Sequence, residues 1–593
     1  MSADIEKLAV FDDRIVQSRP KYAVEKGALS LTNSPFNAIA ANGSQMTFNI
    51  NVPSENVFVD RAVEWSSACY LSLTATPTTI TAGQPVALFG RDLALAAFPL
   101  HSLTQTMTAT INDTTTTINL GDVLYEVLRL SDYKKNRSQR TCPTYLDTYA
   151  SYNSAYQTNN NPLGGYELAT DSGVVPNGAW GQVQWTLPSG VPLSGSGTYT
   201  SGGITVSYVG GVPVMTTGVP AYPLFVKFFS TEKLVLSPFV FSDTHEQETG
   251  LFGIQNIQLV MNMTAPSQSA TAGRVLRSTT AGGVAISAVA YNQTTAAGTP
   301  FTNAQVNVQF LTPSLDIPLP PKSVVPYMEF PRYISNQNFS TVGAGLTVSQ
   351  VRSQTITLPQ IPDLLIIYAK PTAYGATDAD YYLPIQRISV NFDNFSGLLS
   401  SQTQQQLYGM SFRNGLDMDW EQWSGLATTA TSPVGSVRTT GGFLVLKPSQ
   451  DITLQSGQAP SLVGNFTFQF NCDVLNTSGA DLSALTLYVI TANSGFFESI
   501  KGSSRVIKGV LTEADIISAP LAPMGTRGGL TRAVGGKSVL HRLGNMMSRV
   551  KDLVPHLKHM AGMGSTGGAS TGGGATGGKK HHSKKSLVHR LME

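Results

Sequence analysis

Along most of the chain, apolar and polar residues alternate in short runs, the period of two that sends successive side chains to opposite faces of a strand. Met46–Val52 (MTFNINV), Ile257–Met263 (IQLVMNM), Gln305–Leu311 (QVNVQFL), Ile388–Phe392 (ISVNF) and Asn465–Phe470 (NFTFQF) carry this pattern. Leu364–Tyr368 (LLIIY), Phe443–Leu446 (FLVL) and Leu485–Ile490 (LTLYVI) have continuous β-branched, aromatic and other apolar content, which also reads as strand. Gly, Pro, Asn and Ser bound these runs. Two segments predict helices instead: Gly121–Leu130 has apolar residues at i, i+1, i+4, i+5 and i+7, and Ser400–Met410 opens on serine caps. Strands that dominate and do not alternate with helices predict an all-β chain of sandwiches, not βαβ units.

The order of elements recurs. Apolar strands near Leu93–Leu100 precede the Gly121–Leu130 helix, and the strands at Gly253–Met263 and Gln305–Leu311 follow later. In the second half, Leu364–Tyr368 and Ile388–Phe392 precede Ser400–Met410, and Asn465–Phe470 is followed by Leu485–Ile490. The phrases LFGIQNIQLVMNM (Leu251–Met263) and LVGNFTFQFNCDV (Leu462–Val474) share an apolar pair, a glycine and then alternation. Between the halves, Leu315–Pro326 is proline-rich and reads as a joint. The expected layout is an arm over 1–30, one sandwich over 31–314, the joint over 315–326, a second sandwich over 327–520 and a tail over 521–593.

Composition sharpens this picture. The 593 residues suffice for several domains and an ample core. Only 13% are charged, while Gly (55) and Pro (33) are frequent. A polar but weakly charged surface suits a protein that buries much of itself against copies of itself, because an unpaired charge is costly to desolvate. Cys69, Cys142 and Cys472 are too few and too scattered for a disulfide framework or a metal site. The charged N-terminal residues lack an apolar signal core, and no run of 18 apolar residues occurs, which predicts synthesis in the cytosol without a membrane span.

The net charge of +2 conceals two materials. Residues 525–593 hold 12 Lys and Arg against two acids, whereas the preceding 524 residues hold 27 against 35. In the tail, Leu540, Leu543, Met547, Val550, Val554 and Leu557 follow steps of three and four, the stripe of an amphipathic helix, with basic residues mostly off it. Pro555 interrupts that helix near its end. A glycine-rich linker over 564–578 leads to a basic patch, Lys579, Lys580, Lys584 and Lys585, suited to non-specific phosphate contact. A basic amphipathic helix serves equally an anionic membrane surface, a partner's groove or the protein's own shell.

Several phrases together carry a resemblance. YLDTYASYN (Tyr145–Asn153), NNNPLGGY (Asn159–Tyr166), VPNGAW (Val175–Trp180), LSPFVF (Leu236–Phe241) and GLFGIQNIQLVMN (Gly250–Asn262) occupy the first half. QIPDLLIIYAKP (Gln360–Pro371), YYLPIQRISVNFDNFSGLLSSQTQQQLYGMS (Tyr381–Ser411) and LVGNFTFQF (Leu462–Phe470) occupy the second. In this order, from Thr47 to Ser518, they resemble the major capsid proteins of polinton-like viruses and virophages, in the double jelly-roll lineage that includes adenovirus hexon. The resemblance implies two tandem eight-stranded jelly rolls, a few short loop helices and a basic tail. It implies pseudo-hexagonal homotrimers tiling an icosahedral shell around double-stranded DNA. Implied partners are the chain itself, penton and minor capsid proteins, a maturation protease, and DNA or membrane through the tail; no cofactor is expected. Adenovirus-type maturation proteases cut a pattern matched by Met560, Gly562, Met563 and Gly564, so the resemblance implies cleavage between Met563 and Gly564.

Catalytic candidates are few. LDMDWEQW brings Asp417, Asp419 and Glu421 beside Trp420 and Trp423, the ingredients of glycoside hydrolysis or of an oxygen-rich Ca²⁺ site. Read as a strand, this spacing puts the three acids on one solvated or inter-subunit face. His245, Glu246 and Glu248 lack the spacing of a zinc-binding helix and read as a polar turn. No nucleophile elbow, P-loop or Cys-x-x-Cys pair is present, so a structural protein is expected rather than an enzyme. A β-sandwich adhesin, fibre or lectin-like module is the alternative, with a glycan-active enzyme behind it.

Overall fold

The computed structural model describes residues 28–77, 80–81, 93–130, 146, 182–184, 198–201, 204–209, 212–217, 222–239, 250–264, 276–278, 284–291, 299–313, 322–342, 346–372, 380–428, 436–455, 457–477 and 481–509. Eight principal strands build the first half: β1 (Ala28–Asn37), β2 (Gln45–Asn51), β3 (Glu64–Pro77), β4 (Thr104–Ile111), β5 (Thr114–Ile118), β6 (Tyr222–Lys233), β7 (Asn256–Met263) and β8 (Phe301–Pro313). They pair antiparallel as β1-β8-β3-β6 in one sheet and β2-β7-β4-β5 in the other. Strands one, eight, three and six thus face strands two, seven, four and five, the jelly-roll order. Among the described residues, two helices lie in the connections, α1 (Pro99–Leu103) and α2 (Leu120–Leu130).

The second half repeats the order. Its strands are β9 (Ser323–Glu329), β10 (Arg332–Val342), β11 (Val348–Arg352), β12 (Ile356–Gln360), β13 (Leu364–Pro371), β14 (Ile385–Phe392) and β15 (Phe395–Leu398). After the helices α3 (Gln404–Arg413) and α4 (Trp420–Ser424) come β16 (Leu444–Leu446), β17 (Val463–Leu475), β18 (Leu482–Ile500) and β19 (Ser503–Lys508). One sheet runs β10-β18-β13-β16, with β9 and β19 on the far half of the 19-residue β18. The other runs β17-β14-β15, with β11 and β12 sharing the free side of β17. Counting β11 and β12 as one interrupted strand, the 1-8-3-6 and 2-7-4-5 orders recur. The faint repeat in the sequence is a duplicated fold, and in both copies a helix follows the fifth strand.

Alternation is what places the cores. In β2, Met46, Phe48 and Ile50 are fully buried, and β7 buries Ile257, Leu259 and Met261 while exposing Gln258 and Asn262. In the other sheet, Trp65, Cys69 and Leu71 of β3 are fully buried too. Each such side chain contributes about 1.5–3 kcal/mol by leaving water. β13 is buried at every position, as its unbroken apolar run anticipates, because its outer face is covered as well.

Three local readings shift. The second predicted helix starts at Gln404, where Thr403 and Gln406 form a reciprocal cap, instead of at Ser400. Ser400 and Gln402 spend their amides on the turn that leaves β15, bonding the carbonyls of Gly397 and Leu399. Near Leu93–Leu100, a strand spans Leu93–Leu95, and Pro99 then opens α1, its fixed φ suiting the first helical turn. In the proline-rich stretch, Ser323–Pro326 already belongs to β9; Pro326 is tolerated because β9 is an edge strand, paired among the described residues to β18 alone.

Candidate functional site

No cleft of catalytic type organises the described residues; the densest polar chemistry lies where the first roll meets the second. The contact is built on α2. Asp122 in its first turn and Arg129 in its last suit the helix dipole, and every residue but Asp122 is buried. Such all-round burial means the helix is covered from both sides. Its roots are set by α1, where the Ser102 hydroxyl and the Tyr125 phenol share a 2.8 Å hydrogen bond. In turn α1 is held by Glu232 of β6, whose carboxylate accepts the amides of Leu100 (2.7 Å) and His101 (3.0 Å) and the Ser230 hydroxyl (2.8 Å). Nε2 of His101 accepts the Val235 amide at 3.2 Å, so Nδ1 carries the proton and donates it to Glu232 at 2.6 Å. Both side chains are fully buried.

From this base α2 presents Asp122 and Glu126 to the second roll. Tyr368 of β13 donates its phenol to the Asp122 carbonyl at 2.6 Å, and Arg332 of β10 pairs with the Asp122 carboxylate. Tyr382 donates to Glu126 Oε1 at 2.9 Å. Lys370 Nζ stands 3.7 Å from both Glu126 and Asp380, and 5.1 and 4.8 Å from the ring centres of Tyr368 and Tyr382. Tyr368 also stacks on Tyr488 of β18, with ring centres 4.7 Å apart. Burial and the neighbouring Glu126 push the Tyr382 phenol well above its ordinary value, so it stays a donor. A buried lysine between two carboxylates and two rings is a registering device: only one placement of the rolls satisfies it.

The β18–β19 hairpin makes a second contact at one end of the rolls. The Asp113 carboxylate accepts the Ser504 amide (2.7 Å) and the Ser503 hydroxyl (3.0 Å), and Thr114 donates to the Ser504 carbonyl at 2.6 Å. Gly502 donates its amide to the Gly253 carbonyl at 2.8 Å. A Cβ at Gly253 would sit 2.8 Å from the Lys501 nitrogen, and φ is +73° there. Gly253→Ala should therefore lower the unfolding midpoint by the equivalent of about 1–3 kcal/mol, as steric strain at a left-handed position does, whereas a neutral result would mean the turn yields freely.

The same hairpin predicts an acid response. The Ser504 amide and the Ser503 hydroxyl hold the Asp113 carboxyl below its usual range, and Lys322 and Arg505 do so for Glu498. A carboxyl depressed in the folded state stabilises it above the unfolded pKa, near 4, and that contribution is lost as pH falls through the lower folded value. The melting temperature should thus drop on acidification below about pH 4, and Asp113→Asn should narrow the drop. A melting temperature independent of pH down to 3 would contradict this.

The acids of LDMDWEQW are not on a strand. Asp419 caps α4 by accepting the Gln422 amide at 2.8 Å, a use of Asp that a strand reading misses. Asp417, Asp419 and Glu421 are all exposed, while Trp423 is buried and donates its indole N–H to the Phe443 carbonyl at 3.0 Å. Tyr408 bonds the Met418 carbonyl and lies against Phe412, Trp420 and Trp423. Burial, then Asp419 and Asp417, raise its phenol. All three carboxylates face solvent, and the Asp419 carboxylate is taken up by the helix cap.

Cys69 and Cys472 are buried free thiols pushed up by desolvation, hence unreactive. Among the described residues no three His, Cys, Asp or Glu are placed to hold a metal, and no helix is long and apolar enough to cross a membrane. His245, Glu246 and Glu248 lie outside the described residues, as do Cys142, the tail stripe from Leu540 to Leu557, Met560, Gly562, Met563, Gly564 and the patch at Lys579, Lys580, Lys584 and Lys585. Of the junction residues, Glu126 and Lys370 had a sequence signal, a charge within an otherwise apolar run, whereas Asp380 and Tyr382 had none.

Comparison with known proteins adds to this geometry. A family model for the first domain of the Sputnik virophage major capsid protein matches residues 3–311, and one for the C-terminal domain of major capsid protein V20 matches 330–495. A putative capsid protein V20 of Sputnik virophage is 25% identical over 577 residues, covering 93% of this chain and 89% of that protein. A chain of the 3.5 Å cryo-EM structure of the Sputnik virophage superposes with TM-score 0.66 at 24% identity, over 86% of this chain and 94% of that one. The crystal structure of the mavirus major capsid protein superposes with TM-score 0.62 at 14% identity, over 83% and 93%.

Proposed function

This chain belongs to the Sputnik virophage major capsid protein family, a double jelly-roll capsid protein and not an enzyme, and from that premise we propose that it acts as a homotrimer. Three chains supply six jelly rolls, so the capsomer has a pseudo-hexagonal outline that tiles an icosahedral shell around double-stranded DNA. The observation that supports this best is the buried junction of α2 on β13, which makes the two rolls one rigid building block. Penton and minor capsid proteins complete the shell.

The tail over 521–593 is an assembly device in this reading. Its amphipathic stripe and basic patch guide co-assembly inside the shell by contact with protein, membrane or DNA, and a maturation protease removes the end after Met563. Light scattering of the purified full chain should give about three times 63.1 kDa. A persistent monomer would contradict the trimer. Deleting residues 525–593 should leave the trimer intact, at three times the shortened chain's mass, while impairing particle formation. Intact tails in purified particles, read by mass spectrometry, would remove the cleavage step.

A further inference from the structure

The junction between the rolls holds a reactive combination that registration alone does not need. A primary amine, Lys370, meets two carboxyl groups, Glu126 and Asp380, and the three come from β13, α2 and the segment ahead of β14. Lys370 is 7% exposed, Glu126 1%, Asp380 4% and Tyr382 0%, so the group is closed to bulk water. Nζ of Lys370 is 3.7 Å from Oε1 of Glu126 and 3.7 Å from Oδ1 of Asp380, beyond the length of a direct hydrogen bond to either oxygen. The ring centres of Tyr368 and Tyr382 lie 5.1 and 4.8 Å from Nζ and put apolar surface beside it.

Ions are costly in such a place, and an amine and a carboxyl held dry and in contact escape that cost by condensing to an amide. In open water, ionisation and hydrolysis oppose the reaction; fixed orientation and exclusion of water reverse the balance. The two carboxyls are not equivalent. Glu126 Oε1 accepts the Tyr382 phenol at 2.9 Å, a donor placed where negative charge develops when an amine adds to Cδ. Burial and Glu126 keep that phenol protonated. Asp380 is left with the second role, taking a proton from Nζ. Arg129, whose charge also acts on Tyr382, remains to balance Asp380 once one charge of each sign is gone.

We infer that Lys370 and Glu126 form an isopeptide bond, a covalent staple between the two jelly rolls, with Tyr382 as the oxyanion donor and Asp380 as the proton relay. The ion-paired junction is the state that precedes it. One ammonium proton passes to the Glu126 carboxylate, which puts an amine beside a carboxylic acid. Nζ adds to Cδ, Tyr382 supports Oε1 as it becomes negative, and Asp380 takes a second proton from Nζ. Asp380 returns that proton to the Oε2 hydroxyl, which departs as water while the C=O bond reforms. The Nζ–Cδ bond forms, the Cδ–Oε2 bond breaks, both protons leave in the water, and no oxidant, metal or nucleotide is consumed. The staple needs only the junction within one chain and is independent of the trimer.

Mass spectrometry of the purified full chain tests it. The wild-type mass should lie about 18 Da, one water, below that of the sequence, whereas Lys370→Arg should show the full mass of its own sequence. Protease digestion of the denatured wild-type chain should yield a branched peptide that holds both Glu126 and Lys370, located by tandem fragmentation. Asp380→Asn and Tyr382→Phe, checked for folding by circular dichroism, should each lower the branched fraction in freshly purified chain by about tenfold or more. An unshifted wild-type mass with linear Glu126 and Lys370 peptides overturns the bond, whether or not the variants fold. A branch that joins Lys370 to Asp380 overturns the choice of Glu126, and an undiminished branch in folded Asp380→Asn overturns the relay.

Discussion

Glu232→Ala should destabilise the first jelly roll by about 3–5 kcal/mol, the cost of removing one member of a buried ion-paired or charge-bonded set. The carboxylate accepts the Leu100 and His101 amides, the Ser230 hydroxyl and the His101 ring proton, all in a region without water access. Truncation orphans all four donors at once, and it leaves a cavity next to Trp65, whose ring packs edge-on to His101 at 5.4 Å. Glu232→Gln keeps the shape and an acceptor oxygen, so it should cost less than half as much. Urea titration reads both: the midpoint should fall with little change in slope. A shift under about 1 kcal/mol for the alanine variant would mean α1 is held by packing alone. Because α1 seats α2 through Ser102 and Tyr125, the loss should reach the junction between the rolls as well.

Lys370→Met should cost about 3–5 kcal/mol for the same reason seen from the other side. It leaves Glu126 and Asp380 buried without the cation between them, and removes the charge facing the Tyr368 and Tyr382 rings. Glu126→Gln alone should also destabilise. The two changes together should cost less than their sum, because the double variant no longer buries an unmatched charge on α2. A coupling energy of about 1–3 kcal/mol in that cycle is the expected result. Strict additivity would mean that Lys370 and Glu126 act independently and that the junction is registered by the tyrosines instead.

The sequence carried the strands and their duplication because alternation is a local signal written in each segment. Met46–Val52 and Ile257–Met263 each declare an inner and an outer face without reference to the rest of the chain. The helix over Gly121–Leu130 was legible too, but its purpose was not. Its polar side, with Asp122, Glu126 and Arg129, makes sense only beside the second-roll residues Tyr368 and Tyr382, 246 and 256 residues away. Thr403 against Ser400 as the cap of α3 was decided by a turn that consumed the serine's amide, which composition does not encode. Pro326 looked like a joint because proline in a strand is uncommon, and only the edge position of β9 explains it. For the acids of LDMDWEQW, a period-two reading aligned three carboxylates, whereas Asp419 serves as a helix cap.

Family membership and the pairing of two jelly rolls meet in one claim, that each chain is a two-roll unit and one third of a six-roll capsomer. Electron microscopy of the purified full-length protein, with averaging of single particles, tests it most directly. The account predicts particles of three chains with a six-lobed outline, two lobes per chain, and their association into sheets or shells at higher concentration. Isolated two-lobed particles at every concentration would contradict it.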